Sequence, residues 1–340
     1  MRLSCFVILF EFMKTVTNCI IKVKSIDVEY FVEFRTEEII MKVPHLVQYQ
    51  GSKRIIAPEI IKFFPDKIDR LVEPFSGTCA ISILTAAENR CNNFWVNDIN
   101  EPLIRMMEEC VNEPQKLVDE YFAIWEGQFQ TDQNNVDYFY KVREEFNCGR
   151  KDSARMLFLL ARIVKGAVRY NIRGELNQSC DKRRYGTRPQ IIANNAFRIS
   201  ELLRGRTSFS SKDYKEILAL TKPGDLVYMD PPYQGTSNRG NQRDNRYIQG
   251  VNFEEFVDEL VKLNHRGIDF IVSYDGMTGD KIIGRKLPKS LDLNHIYINA
   301  GLSSQAILNG KKEITYESLY ISKRLKYSLN EYEQMEIYLG

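Results

Sequence analysis

Short β-rich runs alternating with helical patterns constrain the fold of this chain more than any other feature. The runs are Leu71–Phe75, Phe94–Asp98, Thr207–Ser210, Leu226–Met229, Asp269–Tyr274, His295–Asn299 and Ser318–Ser322. Apolar residues recur at helical spacing in Ala57–Phe64, Pro102–Val111, Gln115–Phe122, Ser153–Val164, Asn194–Leu203 and Phe253–Leu263. Strand runs divided by helical segments predict an α/β protein with a doubly wound parallel sheet of about seven strands. One interval breaks the rhythm. More than a hundred residues separate Asp98 from Thr207, far too many for one βα crossover. A second, mostly helical domain is therefore expected as an insert at 113–200, leaving 42–112 and 201–325 to build the sheet and a polar tail at 326–340.

The insert is where the charge lies. The whole chain carries only +2, which by itself argues against a generic nucleic-acid binder. Between Arg150 and Arg206, however, fourteen Lys and Arg residues face four acids, and eleven of the fourteen are arginine. Such a segment reads as a polyanion footprint, and arginine suits bidentate contacts to phosphate and guanine. Its alternative is a solvated charged face. The seven cysteines form no CxxC pair and there are only three histidines, so no zinc spacing exists and no metal is expected. An odd count of scattered cysteines fits a reducing cytoplasm. The apolar stretch Leu3–Phe10 is too short to span a bilayer and lacks a small-residue cleavage site, so neither membrane anchor nor signal peptide is expected. Met41 stands directly before the first recognisable motif, and 1–41 is expected to be an extension without catalytic role, read from an early start codon.

Chemistry concentrates where predicted strands end. The run Asp225–Met229 stops at Asp230-Pro231-Pro232-Tyr233. Ligands of open α/β sheets bind at the strands' carboxyl edge. Two prolines fix the backbone there and remove two N–H donors, leaving a carboxylate, a carbonyl and an aromatic face that can grip a planar base by its exocyclic amine. A plain strand-end turn is the alternative. Leu71 to Ala80 reads as strand, small-residue turn and helix, with Gly77 letting the backbone approach an anionic group at the helix start. With one glycine it is no pyrophosphate GxGxxG. Asp98, at the tip of the next strand, is placed either to accept hydrogen bonds from a ribose diol or to cap the following helix. Gln48-Tyr49-Gln50-Gly51-Ser52-Lys53 permits a close loop with a cation for a carboxylate. Asp213 and Tyr214, after the third strand, could flank a purine ring.

Taken in order, QYQGSK, VEPFSGT, VNDIN, SKDY and DPPY resemble the Dam-type (class alpha) DNA adenine-N6 methyltransferases over about residues 43–322. The stretch Gly166 to Asn177 is similar to that family's target-recognition segment, and Ser303-Ser304-Gln305 with Tyr316 to Tyr320 to its closing hairpin region. The resemblance implies a Rossmann-like catalytic domain with S-adenosyl-L-methionine as cofactor. Tyr49, Lys53, Glu73, Phe75, Gly77, Asp98, Asp213, Tyr214 and Asp230 would be its binding residues, with Lys53 near the carboxylate, Glu73, Phe75 and Gly77 about the methionine, and Asp98 on the ribose. Asp230, Pro231, Pro232 and Tyr233 would be catalytic, holding the target base. Arg169 matches a guanine-reading arginine, and Lys165, Tyr170, Asn171, Arg173, Arg183 and Arg184 complete the DNA-binding candidates. Tyr49 replaces the tryptophan of well-known members, Thr78 replaces a small residue, and Ser179 to Tyr185 departs from the usual continuation, so a GATC target does not carry over.

The implied partner is double-stranded DNA, read by a site-specific methyltransferase acting by base flipping, with a cognate restriction endonuclease as a functional companion if the enzyme belongs to a restriction-modification pair. Other planar amines (cytosine N4, RNA adenine, a glutamine side chain) and a non-catalytic DNA-binding module are the alternatives. Aspartate at 230 and the basic insert disfavour the former, and the filled cofactor positions the latter.

Overall fold

A computed structural model describes residues 21–25, 28–32, 43–130, 134–166, 168–232, 251–278, 281–302 and 313–325. The chain divides into two units, Met1–Lys42 and Val43–Gly340. In the first, β1 (Ile21–Ser25) and β2 (Val28–Val32) pair antiparallel, with Ile21 opposite Val32 and Ser25 opposite Val28.

The second unit is a sheet with helices on both faces. In chain order it contains α1 (Ala57–Ile61), β3 (Arg70–Glu73), α2 (Ala80–Ala87), β4 (Phe94–Asn97), α3 (Glu101–Asn112), α4 (Pro114–Gly127), α5 (Asn135–Asn147), α6 (Ser153–Arg162), α7 (Pro189–Leu203), β5 (Thr207–Ser210), α8 (Tyr214–Ala219), β6 (Asp225–Met229), α9 (Phe253–Arg266), β7 (Asp269–Thr278), β8 (Lys281–Ile283), β9 (Leu293–Leu302) and β10 (Ile314–Ser322). The strand order is β5-β4-β3-β6-β7-β10-β9, with β8 pairing onto β7. All seven expected runs are strands of this sheet, and the α/β class is as read from the sequence.

The sheet is mixed rather than wholly parallel. From β5 to β7 neighbouring strands are parallel, whereas β10 runs antiparallel to both β7 and β9. Chain length between elements explains the change. A parallel return needs a crossover of a dozen or more residues, usually a helix, and only eleven residues separate β9 from β10.

Alternation in the strands divides the core. Leu71, Leu226, Tyr228 and Ile271 point into a cluster built with the helices between α1 and α7. Val72, Val227, Met229, Phe270 and Val272 point the other way, into a cluster closed by α8 and α9. Every residue of β6 is buried, which is why its sequence is an almost unbroken apolar run. The helical segment between β4 and β5 is continuous with the first cluster: α4 packs on α6 and α7, and α3 packs on the same two helices. Polar caps set several helix starts. Asn134, Asp152 and Asn252 each accept hydrogen bonds from backbone N–H groups of the turn that follows. Chain direction along the sheet reverses between β3 and β6, a topological switch point where ligands of such sheets bind.

Candidate active site

Three strand tips are tied together by one buried side chain. Asn97, the last residue of β4, donates from Nδ2 to the carbonyls of Pro74 and Lys212, both at 3.0 Å. Its Oδ1 accepts from Ser210 Oγ at 2.8 Å and from Lys212 N at 2.9 Å. The carboxyl ends of β3, β4 and β5 are thereby held in register around the turn that follows β3. That turn uses left-handed backbone at Gly77 (φ 52°) and Cys79 (φ 58°). The Tyr49 ring lies over it, close enough that a Cβ on Gly77 would touch it at 3.5 Å.

Asp98 is locked in place beside the turn. Its Oδ2 accepts the Gly77 N–H at 3.0 Å and its Oδ1 the Asn100 N–H at 2.9 Å. Burial raises its pKa, and these two backbone bonds pull against that rise. Glu73, at the end of β3, is 2 % exposed and accepts from both the backbone N–H (2.9 Å) and the hydroxyl of Ser82. Burial pushes its carboxyl up to about 7, against the Ser82 hydrogen bonds and with added repulsion from Asp230.

On the far side stands an ion network that joins Lys53, Asp230 and Glu317 among the described residues. Lys53 Nζ lies 3.0 Å from Asp230 Oδ1 and also pairs with Glu317 of β10. Burial works to deprotonate Lys53, but the two carboxylates more than offset it and raise its pKa. Beneath them Tyr228 is buried and its hydroxyl meets Ser273 Oγ at 2.8 Å.

These groups surround one cavity. Tyr49, Lys53, Glu73, Phe75, Gly77 and Asp98 line it together with Asp230, Pro231 and Pro232. The structure thus gathers residues from four separated motifs at the switch point. Asp213 and Tyr214 are not among the lining residues. Asp213 is engaged as a helix cap, accepting from Lys215 N at 2.9 Å, and Tyr214 is buried against Phe75 with ring centroids 5.2 Å apart. Tyr233 lies outside the described residues.

The basic segment separates into different environments. Arg169 is exposed, and Arg183 and Arg184 are exposed while both hold Asp181, at 3.4 and 3.2 Å. Arg173 pairs with Glu175 at 3.1 Å. Asn171 shapes its own turn, accepting from Arg173 N and Glu175 N. Lys165 lies in a single 3-10 turn, Val164–Gly166. Tyr170, expected among the DNA contacts, lines the cavity. Arg162 contributes to the sequence charge of this segment yet is fully buried, donating to Gln128 Oε1 at 2.8 Å and to the carbonyl of Asn135 at 3.1 Å. Counting charge along a sequence cannot see that an arginine faces inward.

Sequence reasoning passed over Glu317, Ser82, Asn97 and Asn100. Asn97 left one signal, a polar residue closing an apolar strand. Glu317 meets Lys53 across 264 positions and Asn100 meets Tyr170 across 70, separations that leave no local signal. Ser82 is an ordinary helix residue whose bond to Glu73, nine positions back, shows only in the fold. Among the described residues no helix is long and apolar enough to cross a membrane, and no group of three or more His, Cys, Asp or Glu side chains gathers as a metal-ion cluster.

A mixed sheet with a switch-point cavity, an acid on the second strand tip and an Asp-Pro-Pro turn beside it defines a Rossmann-like methyltransferase architecture. The chain belongs to the D12 class N6 adenine-specific DNA methyltransferase family, whose pattern matches residues 49–306. It is 29% identical over 198 residues to a retron Ec67 DNA adenine methylase of Escherichia coli, covering 56% of this chain and 64% of that protein. A DNA adenine methylase of Serratia marcescens is 29% identical, covering 57% and 68% respectively. The Type II methyltransferase M.MjaIII of Methanocaldococcus jannaschii is 23% identical over 272 residues, 73% of this chain and 93% of that protein. The chain therefore spans about two thirds of the length of the first two relatives.

Proposed function

We propose that this protein transfers a methyl group from S-adenosyl-L-methionine to N6 of adenine at a specific site in double-stranded DNA, as a Dam-like or restriction-modification methylase. The observation that carries the reading is the placement of Asp230-Pro231-Pro232 on the rim of the cavity that Glu73, Gly77 and Asp98 also line.

The cavity suits the methyl donor. One buried carboxylate, two half-buried ones and one ammonium match a ligand that carries both cationic groups and a carboxylate, and the Gly77 turn admits close approach of that ligand. Lys53 would meet the carboxylate, Glu73 and Phe75 would flank the methionine portion, and Asp98 would accept from the ribose. The bound donor supplies an electrophilic methyl on a sulfonium and leaves as a neutral thioether.

The protein's part is positioning and electrostatics. An adenine amine is a weak nucleophile because its lone pair is delocalised into the ring. The Asp230 carboxylate and the Pro231 carbonyl would accept hydrogen bonds from its two N–H groups, drawing the nitrogen toward tetrahedral geometry and freeing the lone pair for in-line attack. The proton shed by the methylated nitrogen would pass through Asp230 to water. The base must leave the duplex to reach them, and Tyr233 would stack on its face. Residues 113–200 would serve as the target-reading domain, with Arg183 and Arg184 on phosphates and Arg169 at base edges. The lysine that holds Asp230 would be displaced as the amine enters.

Incubation with plasmid DNA and labelled donor, followed by sequencing for N6-methyladenine, tests the reading. Methylated adenines in one short sequence are expected from the wild type and none from Asp230→Ala, which should still bind DNA. Methyl transfer by Asp230→Ala at the wild-type rate refutes the assignment.

A further inference from the structure

One short segment of the helical insert has two faces, and each belongs to a different ligand. Val168 and Tyr170 line the cofactor cavity, while Arg169 between them is exposed. This is the alternation of an extended strand, in which successive side chains point opposite ways. One isolated bridge accompanies it: Tyr170 pairs antiparallel with Leu176. Beyond it the chain closes a tight turn, with Asn171 N donating to the Glu175 carbonyl and Gly174 N to the Asn171 carbonyl, both at 2.9 Å. Asn147 clamps the returning arm through both backbone groups of Leu176, at 2.8 and 2.9 Å. The turn that carries Arg169, Asn171 and Arg173 is therefore a firm unit.

Two contacts fasten that unit to the cofactor side. The Tyr170 hydroxyl donates to Asn100 Oδ1 at 3.0 Å, and the Asn100 N–H in turn donates to Asp98 Oδ1 at 2.9 Å. Asp98 is the acid proposed to hold the donor's ribose. At the other end, Gly166 abuts the motif that begins at Gln48. Gln50 N donates to the Gly166 carbonyl at 3.2 Å, and a Cβ on Gly166 would fall 2.0 Å from the Gln48 carbonyl oxygen. Only glycine, at φ +59°, fits that approach.

We infer that Tyr170 is a positioning residue that couples occupancy of the cofactor cavity to the posture of the base-reading turn, through the relay Asp98–Asn100–Tyr170. The inference rests on the methyltransferase reading above. A ligand that settles Asp98 and packs on Val168 and Tyr170 fixes the extended segment whose opposite face presents Arg169, so the second ligand meets a surface already ordered. By linkage the effect is reciprocal: DNA bound to the turn tightens the cofactor cavity by the same factor.

The test measures that factor. Sinefungin, a stable analogue of the donor, is titrated calorimetrically into the full chain with and without a saturating duplex that carries the methylated site found by plasmid mapping. In the wild type the duplex is expected to tighten sinefungin binding about tenfold, within the usual range of coupling between sites. Tyr170→Phe removes only the hydroxyl, and its factor should fall to within about twofold of one, with the unfolding temperature unchanged. Because the readout is a ratio, an altered affinity for sinefungin alone does not move it. A Tyr170→Phe factor equal to that of the wild type overturns the inference. Independent binding of sinefungin and duplex to the wild type also overturns it while leaving the methyltransferase reading intact, whereas a wild type that binds no sinefungin removes both.

Discussion

Glu73→Gln should make the protein more stable at neutral and alkaline pH, a consequence of placing a carboxyl where water cannot reach it. Glu73 is 2 % exposed, and burial carries it from its ordinary 4.5 to about 7. Folding therefore raises its proton affinity. Below pH 4.5 the group is protonated in both states and behaves much like glutamine. As pH rises toward 7 the unfolded chain releases the proton while the folded chain keeps it. Stability contributed by that proton is fully present below 4.5 and is lost as pH passes through 7. A displacement from 4.5 to about 7 corresponds to about 3 kcal/mol across the whole window, most of it between pH 5 and 8. Glutamine cannot ionise, and its carbonyl still accepts from the Ser82 N–H that now reaches Glu73 at 2.9 Å. Urea unfolding of the two proteins by far-ultraviolet circular dichroism at pH 5, 6, 7 and 8 gives the difference at each pH, and contributions from other titrating groups largely cancel. The variant should gain on the wild type by about 2–3 kcal/mol from the first pH to the last. A difference flat to within about 0.5 kcal/mol would show that Glu73 is no more reluctant to ionise than an exposed carboxylate, and the account of a desolvated acid on the cavity wall would fall.

Two further substitutions probe the walls of the site. Lys53→Met strips the ammonium from between Asp230 and Glu317, whose side chains are 18% and 12% exposed. Removing this counter-ion from two partly buried carboxylates should cost about 3–5 kcal/mol in urea unfolding at pH 7.5, and a loss under about 1 kcal/mol would mean the network contributes little. Gly166→Ala forces a Cβ against the Gln48 carbonyl and imposes an unfavourable φ, so a loss of at least about 1–3 kcal/mol is expected together with weaker sinefungin binding. Calorimetric titration showing unchanged affinity in a variant of unchanged stability would contradict the close approach drawn there.

Much of the frame was legible because strand and helix periods are local properties. The runs at 71, 94, 207, 226 and 269 all became strands, and the motifs at their ends arrived at one sheet edge because a parallel sheet puts its carboxyl ends together. The antiparallel placement of β9 and β10 was not legible from periodicity. A strand reads the same in either direction, and only connection length and partner choice decide between them. The helices Asn135–Asn147 and Tyr214–Ala219 were likewise passed over, the first because its apolar face is interleaved with charged and polar residues and the second because it is short.

By itself the sequence determined which chemical groups could act: Asp230 beside two prolines, Asp98 and Glu73 at strand ends, Gly77 in a turn, and an arginine-rich insert. Tertiary structure decided what those groups do to one another. Lys53 and Glu317 are 264 positions apart, yet they share an ion network with Asp230. Arg162 turns inward while Arg169 turns outward. Tyr170 reaches Asn100 across 70 positions and so joins the turn that follows it to the wall of the cavity. A sequence specifies side chains and local spacing, but burial, which drives Glu73 toward neutrality, and long-range pairing, which keeps Lys53 charged, exist only once the sheet has brought remote strand tips together.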